Sequence, residues 1–179
     1  MLQDLGELAE ARDLLRKALA ATEAIFSPGN PFIAIRQSTL ALVLQDLGEL
    51  AEARDLLRKA LAANEASFAP GHPTIARSQS NLATVLRDLG ERSEACDLLR
   101  KALAADEASF APGHPTIALR QSNLALVLND LGERVEARDL LAKAYRSSLS
   151  TLGADNPKTK TIRRNLDWMA RGGRPGSRW

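Results

Sequence analysis

The sequence predicts an all-α fold built from repeated helix pairs. Ala and Leu supply thirty residues each of the 179, whereas Val and Ile together supply ten, a bias toward helix formers and away from strand formers. The segment Leu2 to Ala21 recurs unchanged from Leu44 to Ala63. Units 44–85 and 86–127 agree at 34 of 42 positions, and units 2–43 and 44–85 at 33, so the chain repeats with a period of 42.

Each unit holds two helices, called A and B here. The first element is a helix B over 7–26: Gly6 follows a Leu as a helix C-terminus requires, and Glu7 then meets a helix N-terminus. Residues 1–5 match only the last turn of a helix A, so this helix B lacks a partner before it. Three A/B pairs follow at 31–68, 73–110 and 115–151. A PGNP or PGHP turn opens each, with Pro at the first helical position. Gly48, Gly90 and Gly132 divide A from B within them. Apolar residues recur at three- and four-residue steps, as in Ala95, Leu98, Leu99, Ala102 and Leu103. Helix 157–170, with Lys158, Lys160, Arg163, Arg164 and Asp167, reads as a polar cap. Together these elements make residues 1–170 a single stacked array. The Gly- and Pro-rich stretch 171–179 reads as a flexible tail.

Composition narrows the function. A net charge of +2 is too small for a dedicated nucleic-acid binder. A lone Cys and two His cannot form a structural zinc site, and one Cys cannot form an internal disulfide. Cys96 replaces an Arg of the sister repeats, so its position is expected to tolerate solvent. No apolar run approaches a membrane span, and the acidic start MLQDLGELAE is no secretory signal. No nucleophile elbow or phosphate loop occurs. We therefore expect a cytoplasmic, non-enzymatic protein without cofactor or metal. His72 and His114, in the PGHP turns, suit a turn or helix-capping role.

The string NLATVLRDLGERSEACDLLRKAL at 81–103 resembles the tetratricopeptide repeat family, in the long 42-residue form of kinesin light chains. Ala83, Gly90, Glu94-Ala95 and Ala102 stand at the family's motif positions, and Leu152 to Pro157 matches the LG-x-D-x-P crossover of the long form. The resemblance spans roughly residues 1–169. It departs at two aromatic positions, occupied here by Gln79 or Gln121 and by Leu50 or Arg92. It implies a right-handed α-solenoid of antiparallel helix pairs whose concave wall is lined by helix A, and a partner protein or peptide held there.

On helix A one face, distinct from the core stripe, carries Arg77, Asn81, Thr84 and Asp88. The sister repeats place Ile35, Thr39, Leu42 and Asp46, then Leu119, Asn123, Leu126 and Asp130, on that face; the last helix adds Thr161, Asn165 and Trp168. Three of the eight differences between units 44–85 and 86–127 fall at 77/119, 84/126 and 45/87, on or beside it. Asn81 and Asn123 offer amides that both donate and accept, suited to an extended peptide or to a bond between repeats. The resemblance implies the former. Asp4, Asp46, Asp88 and Asp130, one per repeat, oppose the helix dipole at the last turn of a helix A, so an Arg of the next repeat or a basic ligand is expected to compensate. At the other end Leu8, Ala11, Leu15 and Ala18 would face water on one side and form a self-association edge, unless the chain is a piece of a longer array. The leading expectation is an interaction scaffold. The alternative is a sensor or assembly module of a larger multidomain signalling protein.

Overall fold

Pro and Gly set the helix boundaries. The structure is a computed structural model that describes residues 2–173, with side chains from Gly6 onward. Eight helices occur among the described residues: α1 (Leu2–Ile25), α2 (Pro31–Leu47), α3 (Leu50–Ser67), α4 (Pro73–Leu89), α5 (Arg92–Ser109), α6 (Pro115–Leu131), α7 (Arg134–Leu152) and α8 (Pro157–Ala170). Asn30, His72, His114 and Asn156 cap α2, α4, α6 and α8. Each accepts a hydrogen bond from a backbone N–H two residues on, and each is followed by Pro at the first helical position. The histidines do so through Nδ1, at 3.1 and 3.2 Å, and each ring stacks on a Phe of the preceding turn, Phe68 or Phe110. At the other end Gly48, Gly90 and Gly132 adopt φ of 80–90°, the left-handed turn that side chains disfavour.

Gly6 does not follow this rule. α1 runs unbroken through it, so the expected division before a helix B at 7–26 is absent. At 48, 90 and 132 a full helix A packs beside its own helix B and holds the chain in the turn. Four residues cannot do so, and the helix formers around Gly6 carry the helix straight on.

Each helix packs against its neighbours in sequence. The even-numbered helices also touch one another, α2 with α4, α4 with α6 and α6 with α8, whereas the backbones of α3, α5 and α7 stay farther apart. The array is therefore curved, with the A layer on its inner side. Ala53, Ala60, Ala83, Ala95, Ala102, Ala125, Ala137 and Ala144 are wholly buried where the two layers meet. Leu57, Leu99 and Leu141 fill the space between, each stabilised by about 2 kcal/mol on burial. On α8 the positions of Ala118 and Ala125 are taken by Lys160 and Asp167, both exposed, and charges there oppose the seating of another helix.

Polar pairs tie successive repeats. On the outer layer Arg12 donates to Glu49 at 2.8 Å and Arg54 to Glu91 at 3.2 Å, while Arg16 meets Glu52 and Arg58 meets Glu94. These pairs are half-exposed, and solvent screening keeps the contribution of each small. Cys96, one repeat beyond Arg54, is buried at 3% exposure, which corrects the expectation of a solvent-tolerant site. An Arg here lays its stem in the interface and sends its guanidinium to the rim; a Cys ends inside. Burial pushes the Cys96 thiol up from its ordinary value.

A second pair changes character along the array. Between α3 and α4 the Asn64 amide donates to the Ser78 hydroxyl at 2.8 Å, both buried. One repeat later the same two positions hold Asp106 and Arg120, joined at 2.7 Å and 1% and 8% exposed. Desolvation raises the Asp106 carboxyl above its ordinary value, although Arg120 pulls the other way. The folded chain therefore takes up a proton there more readily than the unfolded one. This site's contribution to stability is full below the unfolded value near 3.8 and declines as pH rises through the raised folded value.

The sequence thus contains its own control. Asp106→Asn alone strands the Arg120 charge and is expected to cost about 3 kcal/mol or more in urea unfolding. Asp106→Asn with Arg120→Ser recreates the pair of the preceding repeat and should return stability to within about 1 kcal/mol of the parent while flattening its dependence on acid pH.

Candidate functional site

The inner face is open at one end and closed at the other. Between α2 and α4 lies a cleft of about 390 Å³ that brings Ile35, Thr39, Leu42, Arg77 and Asn81 together. Ile35 and Leu42 are 51% and 44% exposed, large for apolar side chains on a regular helix. Thr39 and Thr84 turn their hydroxyls back to the carbonyls of Ile35 and Ser80. Leu119 is 38% exposed. Arg77 is exposed, and Asn81 is half-buried without a hydrogen bond among the described residues.

Farther along, the same positions are committed to the fold. The Asn123 amide donates to Ser80 of the preceding repeat at 3.4 Å, and Asn165 to Ser122 at 3.4 Å. Asn165 is buried, and Leu126 is only 6% exposed where Thr84 is half-buried and Leu42 open. Leu126 and Asn165 are therefore closed to a ligand in this arrangement, and Trp168 packs against the core on the same helix as Asn165. Thr161 is exposed on α8.

The aspartates are compensated from the opposite direction to that expected. Gln45 donates to Asp88 at 2.8 Å, and Arg87 pairs with Asp130 at 3.2 Å, so the partner comes from the preceding repeat. Side chains of helix A lean toward its N-terminus, and position 45/87 stands beside the end of the next helix A. Asn129, the third member of the row, finds a Gly where the Asp would be and donates to the Gly173 carbonyl at 3.4 Å. Burial raises the Asp130 carboxyl above its ordinary value against the pull of Arg87 and Arg92. Asp46 and Asp88 are exposed. Positions 45 and 87, which the sequence places on or beside this face by their change from Gln to Arg between otherwise matching repeats, thus supply the partners of Asp88 and Asp130; the role of Asn129 had no such signal.

Leu8, Ala11, Leu15 and Ala18 lie half-buried, covered on the side where α1 packs against α2; the barest large apolar residues of α1 are Leu14 at 58% and Ile25 at 75%. Even so, Ala11, Leu15 and Ala18 are less covered than their wholly buried counterparts Ala53, Leu57 and Ala60. Of the expected tail, Arg171 caps α8 and Gly173 is buried, while residues 174–179 lie outside the described residues. Among the described residues no group of three or more His, Cys, Asp or Glu stands together as a metal site would require, and no helix is long and apolar enough to cross a membrane.

A curved array of stacked helix pairs with one inner helical layer defines an α-solenoid of the kind that carries protein–protein interaction scaffolds. Family profiles described as tetratricopeptide repeat match residues 1–66, 33–108 and 117–158. The chain belongs to the tetratricopeptide repeat family, with repeats like those of kinesin light chains. Its backbone is similar to that of a Podosopora anserina kinesin-light-chain-like protein of nearly identical repeats, at 27% identity over 95% of this chain and 82% of that one, with a TM-score of 0.78. BtubC (BKLC) of P. vanneervenii shares the fold at 19% identity over 95% and 65% of the two chains, with a TM-score of 0.67. PilF of Pseudomonas aeruginosa matches at 25% identity over 99% and 72%, with a TM-score of 0.58. No curated protein sequence matches the chain.

Exposure separates lining residues from core residues that share a sequence register. Leu126→Asp is expected to lower stability by about 3 kcal/mol or more in chemical denaturation. Leu42→Asp should change it by no more than about 0.5 kcal/mol.

Proposed function

We propose that the chain is a non-catalytic, cytoplasmic scaffold that holds a segment of a partner protein against α2 and α4. The observation that carries this reading is the pairing of exposed apolar side chains, Ile35 and Leu42, with polar groups of opposite sign at the two ends of the inner layer. Arg77 stands near the helix A N-termini, and Asp46 and Asp88 at the C-termini. An apolar floor supplies affinity through burial, and the flanking charges fix direction and register. The Asn81 amide, free of partners among the described residues, can bond an extended backbone crossing the helices. Nothing in this reading calls on nucleic acid, membrane, metal or cofactor.

Display of a random peptide library on the immobilised full chain tests it. Peptides selected by the parent should bind Ile35→Glu/Leu42→Glu at least about ten-fold more weakly, a loss of about 1.4 kcal/mol, with unchanged helicity and Tm. Equal affinity for the two proteins overturns the assignment.

The alternative, a self-associating assembly or sensor module, draws on α1. Its Leu14 is bare although Leu56, Leu98 and Leu140 are half-buried at the same position. If α1 mediates association, light scattering at tens of micromolar gives a mass above the monomer that Leu14→Glu reduces to it. A monomeric parent removes this second reading.

A further inference from the structure

We propose that the pocket between the α3–α4 turn and α5 binds a tyrosine side chain presented by an extended segment of a partner protein. This rests on the reading of the chain as a partner-binding scaffold but not on the groove: of the pocket's lining, only Phe68 also borders the α2–α4 cleft.

The first observation is a buried amide without a partner. The pocket has a volume of about 410 Å³, with Phe68, Pro70 and Ile75 as apolar walls. Gln79 lines it, is only 8% exposed, and makes no hydrogen bond among the described residues. Most buried polar side chains are paired, so an amide left open to a pocket marks a place for a ligand atom. Glu65 and Lys101, exposed at the rim, likewise form no ion pair among the described residues.

The second observation is that the sister pocket, one repeat on, is closed upon itself. Gln121, Glu107 and Lys143 stand there in place of Gln79, Glu65 and Lys101. The Gln121 amide donates to Glu107 at 3.5 Å, and Lys143 stands 3.9 Å from the same carboxylate. The volume falls to about 260 Å³. Ser147 replaces Ala105 and Thr151 replaces Ser109. A Cβ at Gly113 would meet Thr151 and Ser147 at 3.6 and 3.8 Å, whereas one at Gly71 would meet nothing within 4 Å. The same three polar residue types thus satisfy one another in the later repeat and stay unsatisfied in the earlier one.

The chemistry of the lining selects the occupant. An aromatic ring packs well against Ile75 and against the Phe68 ring, which His72 holds by stacking at 4.4 Å. A primary amide offers both a donor and an acceptor, and a phenolic hydroxyl answers either. Phenylalanine would cover the Gln79 amide and leave it unpaired, and an indole N–H satisfies only its carbonyl. Beside the ring, Glu65 can accept from a peptide N–H and Lys101 can donate to a peptide carbonyl. The ligand is therefore a tyrosine within a chain and not a free phenol.

Titration of the isotope-labelled full chain with N-acetyl-tyrosinamide tests this by nuclear magnetic resonance, with the Gln79 side-chain amide assigned from Gln79→Leu. That amide should move saturably, with an affinity at least about three-fold above that for N-acetyl-phenylalaninamide. The preference for tyrosine should disappear in Gln79→Leu. Ala105→Ser/Ser109→Thr, which copies the lining of the sister pocket, should weaken binding several-fold. Ile35→Glu/Leu42→Glu should bind the tyrosine probe as the parent does. No saturable shift, equal affinities for the two probes, a preference kept in Gln79→Leu, or equal movement of the Gln121 amide overturns the proposal. Loss of tyrosine binding in Ile35→Glu/Leu42→Glu overturns it too, since the ring would then sit in the cleft. If the probe binds at Gln79 but no selected peptide depends on Ile35 and Leu42, the groove reading alone fails. If those peptides behave as expected and Gln79 stays unmoved, the tyrosine site alone fails.

Discussion

Everything in this structure depends on how closely two helical layers approach through alanine. A helix B presents Ala53 and Ala60, or their counterparts, to the helices on either side, and these side chains are wholly buried. A larger residue at either position would separate the layers and leave the flanking Leu side chains short of contact. Because each helix buries its stripe only against its neighbours, the stability of one repeat is borrowed from the next. The ends show the consequence. On α1 the same register is half-covered, and on α8 the positions that hold Ala118 and Ala125 in the preceding helix A carry Lys160 and Asp167.

Polar rows supply what the apolar register lacks, namely an identity for each repeat. A period of 42 with near-identical units invites slippage between equivalent interfaces. The outer Arg–Glu row recurs with little change, but the inner row from Gln45, Arg87 and Asn129 and the buried pair at 64/78 and 106/120 differ from repeat to repeat. Asn64 suits Ser78, and Asp106 suits Arg120; exchanging one member leaves a buried group unsatisfied. Their value lies in specificity more than in net stabilisation, since the desolvation of Asp106 offsets much of its attraction to Arg120.

The same gradient makes the inner face unequal along its length. Near α2 it is apolar and open, with Ile35 and Leu42 projecting; near α6 and α8 it is sealed by Leu126, Trp168 and Gly173. A face with one open end has a direction, which a uniform array would lack.

Sequence alone determined the architecture. The 42-residue period, the Pro and Gly punctuation and the spacing of Leu and Ala are local signals, and each is repeated, so they report helix number, pairing and boundaries with little dependence on context. It also placed Ile35, Thr39, Leu42, Arg77 and Asn81 on one helical face, because residues three and four apart share a side. Only the tertiary structure decided which of these register-equivalent positions are open. Leu42 and Leu126 stand at the same position of the repeat two units apart, yet one is 44% exposed and the other 6%. Likewise Gly6 matches Gly48, Gly90 and Gly132 in every local respect, but turns nowhere without a packed helix A before it. Periodicity encodes the direction a side chain points; its cover depends on the chain that lies opposite, and that is fixed by packing across repeats.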